Sequence, residues 1–422
     1  MGAYPVSFVL KIRHASHPKL RNCGARDGAD STLPGPDAVW LRLTNGSLPV
    51  SPPMSRTGTR SQALRSSVEP GPVPTAPEAV TDLDVAMLYY DPHRVHRGFA
   101  EAVGADLVDY RAHSAGLLSG TVADDLVNGT RIPDYDVLIV EGSVPLYTAL
   151  VARARTDVRV VYLCADHGFY ELGRGDFSGS SLTKTLVGRF GRPAVSQVGR
   201  RGIDGVVAVS EFAAEYTRPI VGAETPLEVA HPYVESRLQA ELAATDVSLA
   251  STTAVAVGQG AHYKGFDLLV DAWPTVRRHH PDAELHLVGS DHPQSYADTA
   301  GVVVHGYVDS LSEALSHASL YVQPSRMDAF PVSTLEAMCA GLPTLVTEST
   351  GTRSEAGALD SSLVVQPTAS ALAEGVSRYF DRPLADRLEL SGRARDRGAQ
   401  FDEQSQRAAF QRAFASVLEE LA

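Results

Sequence analysis

From about residue 84 onward, short apolar runs alternate with helical stretches, and this alternation restricts the chain more than any other feature. Apolar runs without polar alternation read as strands buried on both faces. Helices between such strands give βαβ units and a parallel sheet. The first series of expected strands is Val85–Tyr90, Val137–Val140, Val158–Leu163 and Gly205–Val209, with helices at Val144–Ala154 and Glu211–Pro219 among those between. A second series runs Ala254–Val257, Leu285–Val288, Val302–Val304, Leu320–Val322, Thr344–Val346 and Leu363–Val365. Its first helix, Phe266–His279, carries Phe266, Leu269, Val270, Trp273 and Val276 as one apolar stripe. The expected fold is therefore α/β, with two successive doubly wound halves.

At 422 residues the chain exceeds what one hydrophobic core usually supports, so two domains are expected. No run reaches the ~18 apolar residues of a membrane span, which excludes an integral helical membrane protein. Cys23, Cys164 and Cys339 are too scattered for a disulfide framework or a thiolate metal site, and they fit a reducing cytoplasm. Residues 81–422 carry 28 basic against 45 acidic residues, a balance that repels a phosphate backbone and argues against nucleic-acid binding. There are only four lysines, at 11, 19, 184 and 264. An acidic, lysine-poor surface suits a halophile, where salt screens self-repulsion. A GC-rich coding bias explains the same ratio.

Residues 1–80 differ from the rest: prolines cluster between Pro34 and Pro77, and no apolar period is sustained. A disordered extension is expected there, either outside the natural start or serving as a tether. Residues 81–233 then form the first Rossmann-like domain and 234–400 the second, with Val234–Ser251 joining them. Residues 401–422 form an amphipathic helix whose face of Phe410, Phe414, Val417, Leu418 and Leu421 has to dock elsewhere.

The richest segment is Pro324–Pro343, which follows an expected strand. A loop leads to a helix beginning at Pro331, since proline is favoured at the first helical position, and Gly341 with Pro343 ends it. The helix start thus lies at the C-terminal edge of the sheet, where open α/β sheets bind ligands, and its free amides suit phosphate. Glu336 falls among residues that read as buried, where a carboxylate is costly unless paired. A vicinal diol such as a ribose would satisfy it; so would a neighbouring arginine or a backbone amide. Lys264, the one lysine of the second half, follows a loop with Gly258 and Gly260 and opens the next helix at Gly265. It reads either as a phosphate anchor or as a solvated helix-start residue. His167 follows the strand Val158–Leu163, at the matching edge of the first half, and reads as a site residue or a surface histidine. No HExxH, Cys–His set, GxxxxGK[ST] or GxSxG pattern occurs, so no metal site is expected.

Taken together, Val257–Gly265, Leu285–Gly289, Val304–Val308, Pro324-Ser325, Asp328–Met338, Ala340–Pro343 and Glu355 resemble, in order and spacing, the family 4 glycosyltransferases. The resemblance implies a GT-B fold: two Rossmann-like domains facing across a cleft, with the acceptor on the first, a nucleotide-sugar donor on the second, and the last helix crossing back. It implies a retaining reaction without metal or cofactor. The acceptor would be a glycan, a lipid carrier or a small molecule, and membrane contact would be at most peripheral, at the inner face. Position by position, Glu336 matches the acid on the donor ribose and Asp328 the acid near the donor sugar. Phe330, Pro331, Val332 and Ser333 match the loop and helix start whose amides meet the sugar and diphosphate. Lys264 matches the diphosphate cation, with Gly258 and Gln259 in the loop before it, and Tyr307 matches the residue beside the base. His167 resembles the histidine lining the reaction centre.

Asp328 stands where a glutamate is usual, and Gln259 where an arginine is usual. The loop from Asp91 to Gly98 lacks the paired glycines of many members. These departures keep two alternatives open: a degenerate GT-B binding scaffold, or another GT-B enzyme such as a nucleotide-sugar epimerase.

Overall fold

The computed structural model describes residues 83–89, 94–110, 127–143, 145–170, 193, 196–197 and 199–422. The extension expected over residues 1–80 lies outside them, as do Tyr90 and Val144.

The first half holds one parallel sheet. Its strands are β1 (Val85–Tyr89), β2 (Asp106–Asp109), β3 (Val137–Glu141), β4 (Arg159–Cys164), β5 (Gly205–Ala208) and β6 (Leu227–Val229), in the order β2-β1-β3-β4-β5-β6. The four inner strands are the four expected from sequence. Each is an almost unbroken apolar run buried on both faces. The two edge strands are additions to that expectation. β2 reads Asp-Leu-Val-Asp with Leu107 exposed, and β6 is three partly buried residues. A strand paired on one side needs no continuous apolar run, so neither stands out by composition.

The second half repeats the plan with β7 (Thr253–Val257), β8 (Glu284–Val288), β9 (Val302–Gly306), β10 (Leu320–Gln323), β11 (Thr344–Thr347) and β12 (Val364–Val365). Their order is β12-β11-β10-β7-β8-β9, again wholly parallel. All six expected strands are present. Only Leu363 moves, into a 3₁₀ turn. The helix Phe266–His279 buries the five stripe residues together with Ala272. The joining segment contains one short helix, Ser236–Ala243.

Sheet order places the functional edges. In the first sheet successive connections diverge between β1 and β3; in the second they diverge between β7 and β10. Helices leave such a point toward opposite faces, which opens a crevice beyond the strand C-termini. The last helix, Glu403–Glu420, packs on β5, β6 and the helix Arg94–Ala102 of the first half. There Phe410 stacks on Phe99 at 4.3 Å, and Gln411 donates to the Ala102 carbonyl. No helix among the described residues is long and apolar enough to cross a membrane.

Candidate functional site

The switch point of the second sheet collects most of the residues singled out from sequence. After β7 the chain passes Gly258 (φ 154°) and enters a 3₁₀ turn, His262–Lys264. Lys264 ends this turn instead of opening the long helix. Gly265 intervenes at φ 70°, and the helix starts at Phe266. Only glycine fits at 265: its φ is left-handed, and a Cβ would strike the Pro324 carbonyl of the loop after β10. That close approach brings the two switch-point loops together. Lys264 Nζ lies 2.7 Å from Asp328 Oδ2, with both side chains largely buried. Burial pulls the Lys264 ammonium down, but the Asp328 carboxylate and the adjacent Tyr263 outweigh it and hold the group above its ordinary value. Asp328 is anchored by its backbone, donating to Ser349 O at 3.0 Å and accepting from Gly351 N at 2.9 Å.

A second clamp joins the same loops. Arg326 grips Asp267 through two bonds of 2.6 and 2.7 Å and donates to the His262 carbonyl at 2.9 Å. Sequence reasoning missed this pair. Its signal is faint: an acid in the first turn after Gly265, and an arginine two residues before Asp328.

Pro331 occupies the N-cap with ψ 107°, so the helix begins one residue later than expected, at Val332. Proline supplies no capping oxygen. Among the described residues the amides of Val332 and Ser333 have no acceptor, and a helix start left open in this way is able to receive an anion. The Ser333 hydroxyl is used internally, accepting from Tyr321 at 2.8 Å within a buried network that includes Gln323 and Ser325. Phe330 is buried too, its ring stacked 5.1 Å from His231. With the Ser333 hydroxyl and the Phe330 ring used internally, the backbone amides are what this helix start leaves open.

The Glu336 carboxylate has no hydrogen-bond or ion-pair partner among the described residues, so neither the arginine nor the amide alternative holds. Burial, and then the nearby Glu235 carboxylate, push its pKa up to about 7. Glu235 itself pairs with Arg94 of the first half at 3.0 Å. Gln259 donates to Asp291 at 2.7 Å. This bond, and then one from Ser290, hold the exposed Asp291 carboxyl below its usual range. Tyr307 is 86% exposed, at the mouth of a cavity of about 400 Å³ that His286, His305 and His317 also line. No metal-binding cluster of His, Cys, Asp and Glu occurs among the described residues.

The first half meets this edge directly. The His167 ring lies 4.7 Å from Tyr263, stacked at 23°. Ser210 Oγ donates to the Ala329 carbonyl at 2.7 Å, next to Asp328. His167 is therefore beside the Lys264 turn, with the two sheets presenting their C-terminal edges to each other.

The chain is similar to several known proteins. Residues 251–382 match the family model described as Glycosyl transferases group 1. An uncharacterized glycosyltransferase of Haemophilus influenzae is 24% identical over 220 residues, 49% of this chain and 55% of that protein. Mannosylfructose-phosphate synthase of Agrobacterium fabrum is 32% identical over 111 residues, 22% of this chain and 24% of that protein. The chain thus spans about half or less of the length of these curated relatives. Among solved structures, Anabaena Alr3699/HepE in complex with UDP-glucose superposes with a TM-score of 0.56 at 15% identity, covering 79% of this chain and 100% of that one. The fold is GT-B, and its second half carries a glycosyl transferases group 1 domain.

Proposed function

We propose that the chain is a retaining glycosyltransferase of the family 4 type. It moves a sugar from a nucleoside-diphosphate sugar to a glycan, a lipid carrier or a small molecule, with no metal or cofactor. The observation that carries this reading is the meeting of Lys264, Asp328 and an uncapped helix start at one switch point. The UDP-glucose complex of HepE supports a uridine diphosphate donor. Glu336 holds the ribose diol, Tyr307 flanks the base, and Lys264 with the Val332 and Ser333 amides faces the diphosphate. As the bond to the leaving group stretches, negative charge grows on the diphosphate, where these groups stabilise it without reorganising. Asp328 stabilises the positive charge that develops on the sugar, and His167 lines the acceptor side. The reaction takes place in the cytoplasm, with at most peripheral contact at the inner membrane face.

Gln259, tied to Asp291 where a cation is usual, favours a second reading: a scaffold that binds nucleotide without turnover. The test is thermal unfolding with UDP, GDP, ADP and TDP in turn. A ligand at about 100 times its Kd adds about 2.7 kcal/mol, a shift of a few degrees. UDP is expected to stabilise selectively, and Glu336→Ala to remove the effect. Stabilisation without transfer to any acceptor favours the scaffold. No stabilisation by any nucleotide refutes the donor site.

A further inference from the structure

The first sheet has its own switch point, between β1 and β3, and the donor chemistry does not use it. Glu141 ends β3, and His96 stands in the first turn of the helix that follows β1. The two side chains meet there, His96 Nδ1 against Glu141 Oε1, at 15% and 10% exposure. The other oxygen, Glu141 Oε2, is buried and has no hydrogen-bond partner among the described residues. A buried carboxylate oxygen left unpaired costs more than an ordinary lost hydrogen bond, so a donor is missing at this point of the crevice.

A second carboxylate lies beside it and behaves differently. Asp166 accepts from Ser143 N at 2.9 Å, from the Ser143 hydroxyl, from Tyr162 OH at 3.0 Å and from Gly168 N at 3.4 Å. It is saturated, and it shapes the turn that carries His167. No lysine or arginine among the described residues pairs with either carboxylate. Among the described residues the crevice therefore offers one open acceptor beside a second carboxylate, next to the histidine that faces the donor half.

We propose that Glu141, braced by His96, binds the sugar acceptor, and that this acceptor is an uncharged polyhydroxyl compound, one hydroxyl of which donates to Glu141 Oε2. A phosphorylated or carboxylated acceptor would bring further negative charge against two neighbouring carboxylates that no lysine or arginine among the described residues pairs, a repulsion strengthened by burial. This rests on the glycosyltransferase reading above and adds the acceptor class. Glu141 is a binding and positioning residue; no bond is made or broken at it.

The test uses the full chain, UDP-glucose as donor, and two matched acceptor pairs: glucose with glucose 6-phosphate, and glycerol with glycerol 3-phosphate. Saturation-transfer NMR, recorded with and without UDP, reads acceptor binding without turnover. The neutral member of each pair is expected to bind, and the phosphorylated member to bind at least tenfold more weakly. Glu141→Gln, which keeps the shape and one acceptor oxygen, is expected to raise the neutral acceptor's KM about tenfold with little change in kcat. Glu141→Ala should abolish the NMR signal. Preference for the phosphorylated members, equal binding within a pair, binding of neither member, or an unchanged KM in Glu141→Gln overturns the proposal. A UDP titration of the wild-type chain separates the two readings: if UDP does not bind, the donor assignment fails, and the acceptor spectra recorded without UDP still decide the class.

Discussion

Glu336→Gln distinguishes a carboxylate kept for a ligand from one kept for the fold. In the folded chain Glu336 titrates near 7 instead of 4.5, raised by burial and then by Glu235. The folded state thus holds this proton more tightly than the unfolded state. Its contribution to stability is intact below about pH 4.5, falls as pH rises, and is fully lost above about pH 7. At ~1.4 kcal/mol per unit, the whole shift is worth about 3 kcal/mol, and partial solvent access to the side chain brings the expected figure to about 2 kcal/mol. Glutamine does not titrate. Urea unfolding of both proteins from pH 4.5 to 8 should therefore show the variant gaining about 2 kcal/mol relative to wild type across that window, on top of a constant offset from the amide. Ligand binding should run the other way. A ribose diol donates to the ionised carboxylate, so wild-type affinity for UDP should rise about tenfold between pH 6 and 8 as Glu336 ionises. The UDP phosphate titrates equally in both proteins, so the difference between them isolates Glu336. Calorimetric Kd values whose wild-type to variant ratio stays constant with pH would refute the reasoning, as would a flat stability difference.

Two further outcomes follow from the Lys264–Asp328 contact. Lys264→Met and Asp328→Asn each strand one buried charge and are expected to cost about 2–3 kcal/mol. The double variant should cost little more than either single one, so additive losses in urea unfolding would show the pair uncoupled. Gly265→Ala forces a left-handed φ on alanine and drives its methyl into the Pro324 carbonyl. It should destabilise by about 2 kcal/mol or more and weaken UDP binding through displacement of Lys264, both measurable by thermal unfolding with and without UDP.

The parts of the molecule legible in the sequence are those where one residue type answers one demand. Inner strands such as Val-Leu-Ile-Val at 137–140 must be apolar on both faces, and they read as strands without ambiguity. The edge strand Asp-Leu-Val-Asp at 106–109 meets no such demand, and only its neighbour β1 makes it a strand. In the site, Lys264 and Glu336 were legible as unusual charges in segments expected near the sheet edge, and Asp328 only through the family resemblance. Their relation was not. Sequence spacing gives no sign that Lys264 and Asp328, 64 positions apart, share a hydrogen bond, because this depends on how closely Gly265 lets two loops approach. The Arg326–Asp267 clamp and the Arg94–Glu235 pair are invisible for the same reason. Each residue taken alone is an ordinary surface charge.

The helix that ends the described chain has a consequence for how the protein is made. Phe410 closes over Phe99, and Val417 packs so tightly on Gly205 that no Cβ fits there. The first sheet is translated by residue 229, yet the surface that covers β5, β6 and Phe99 does not exist until residues 403–420 leave the ribosome. At ~5–20 residues per second this leaves an apolar face open for roughly 10–40 s on every nascent chain. The second half, whose helices all arrive within its own span, has no such delay. The order of synthesis and the order of completion are thus reversed: the half made first is finished last.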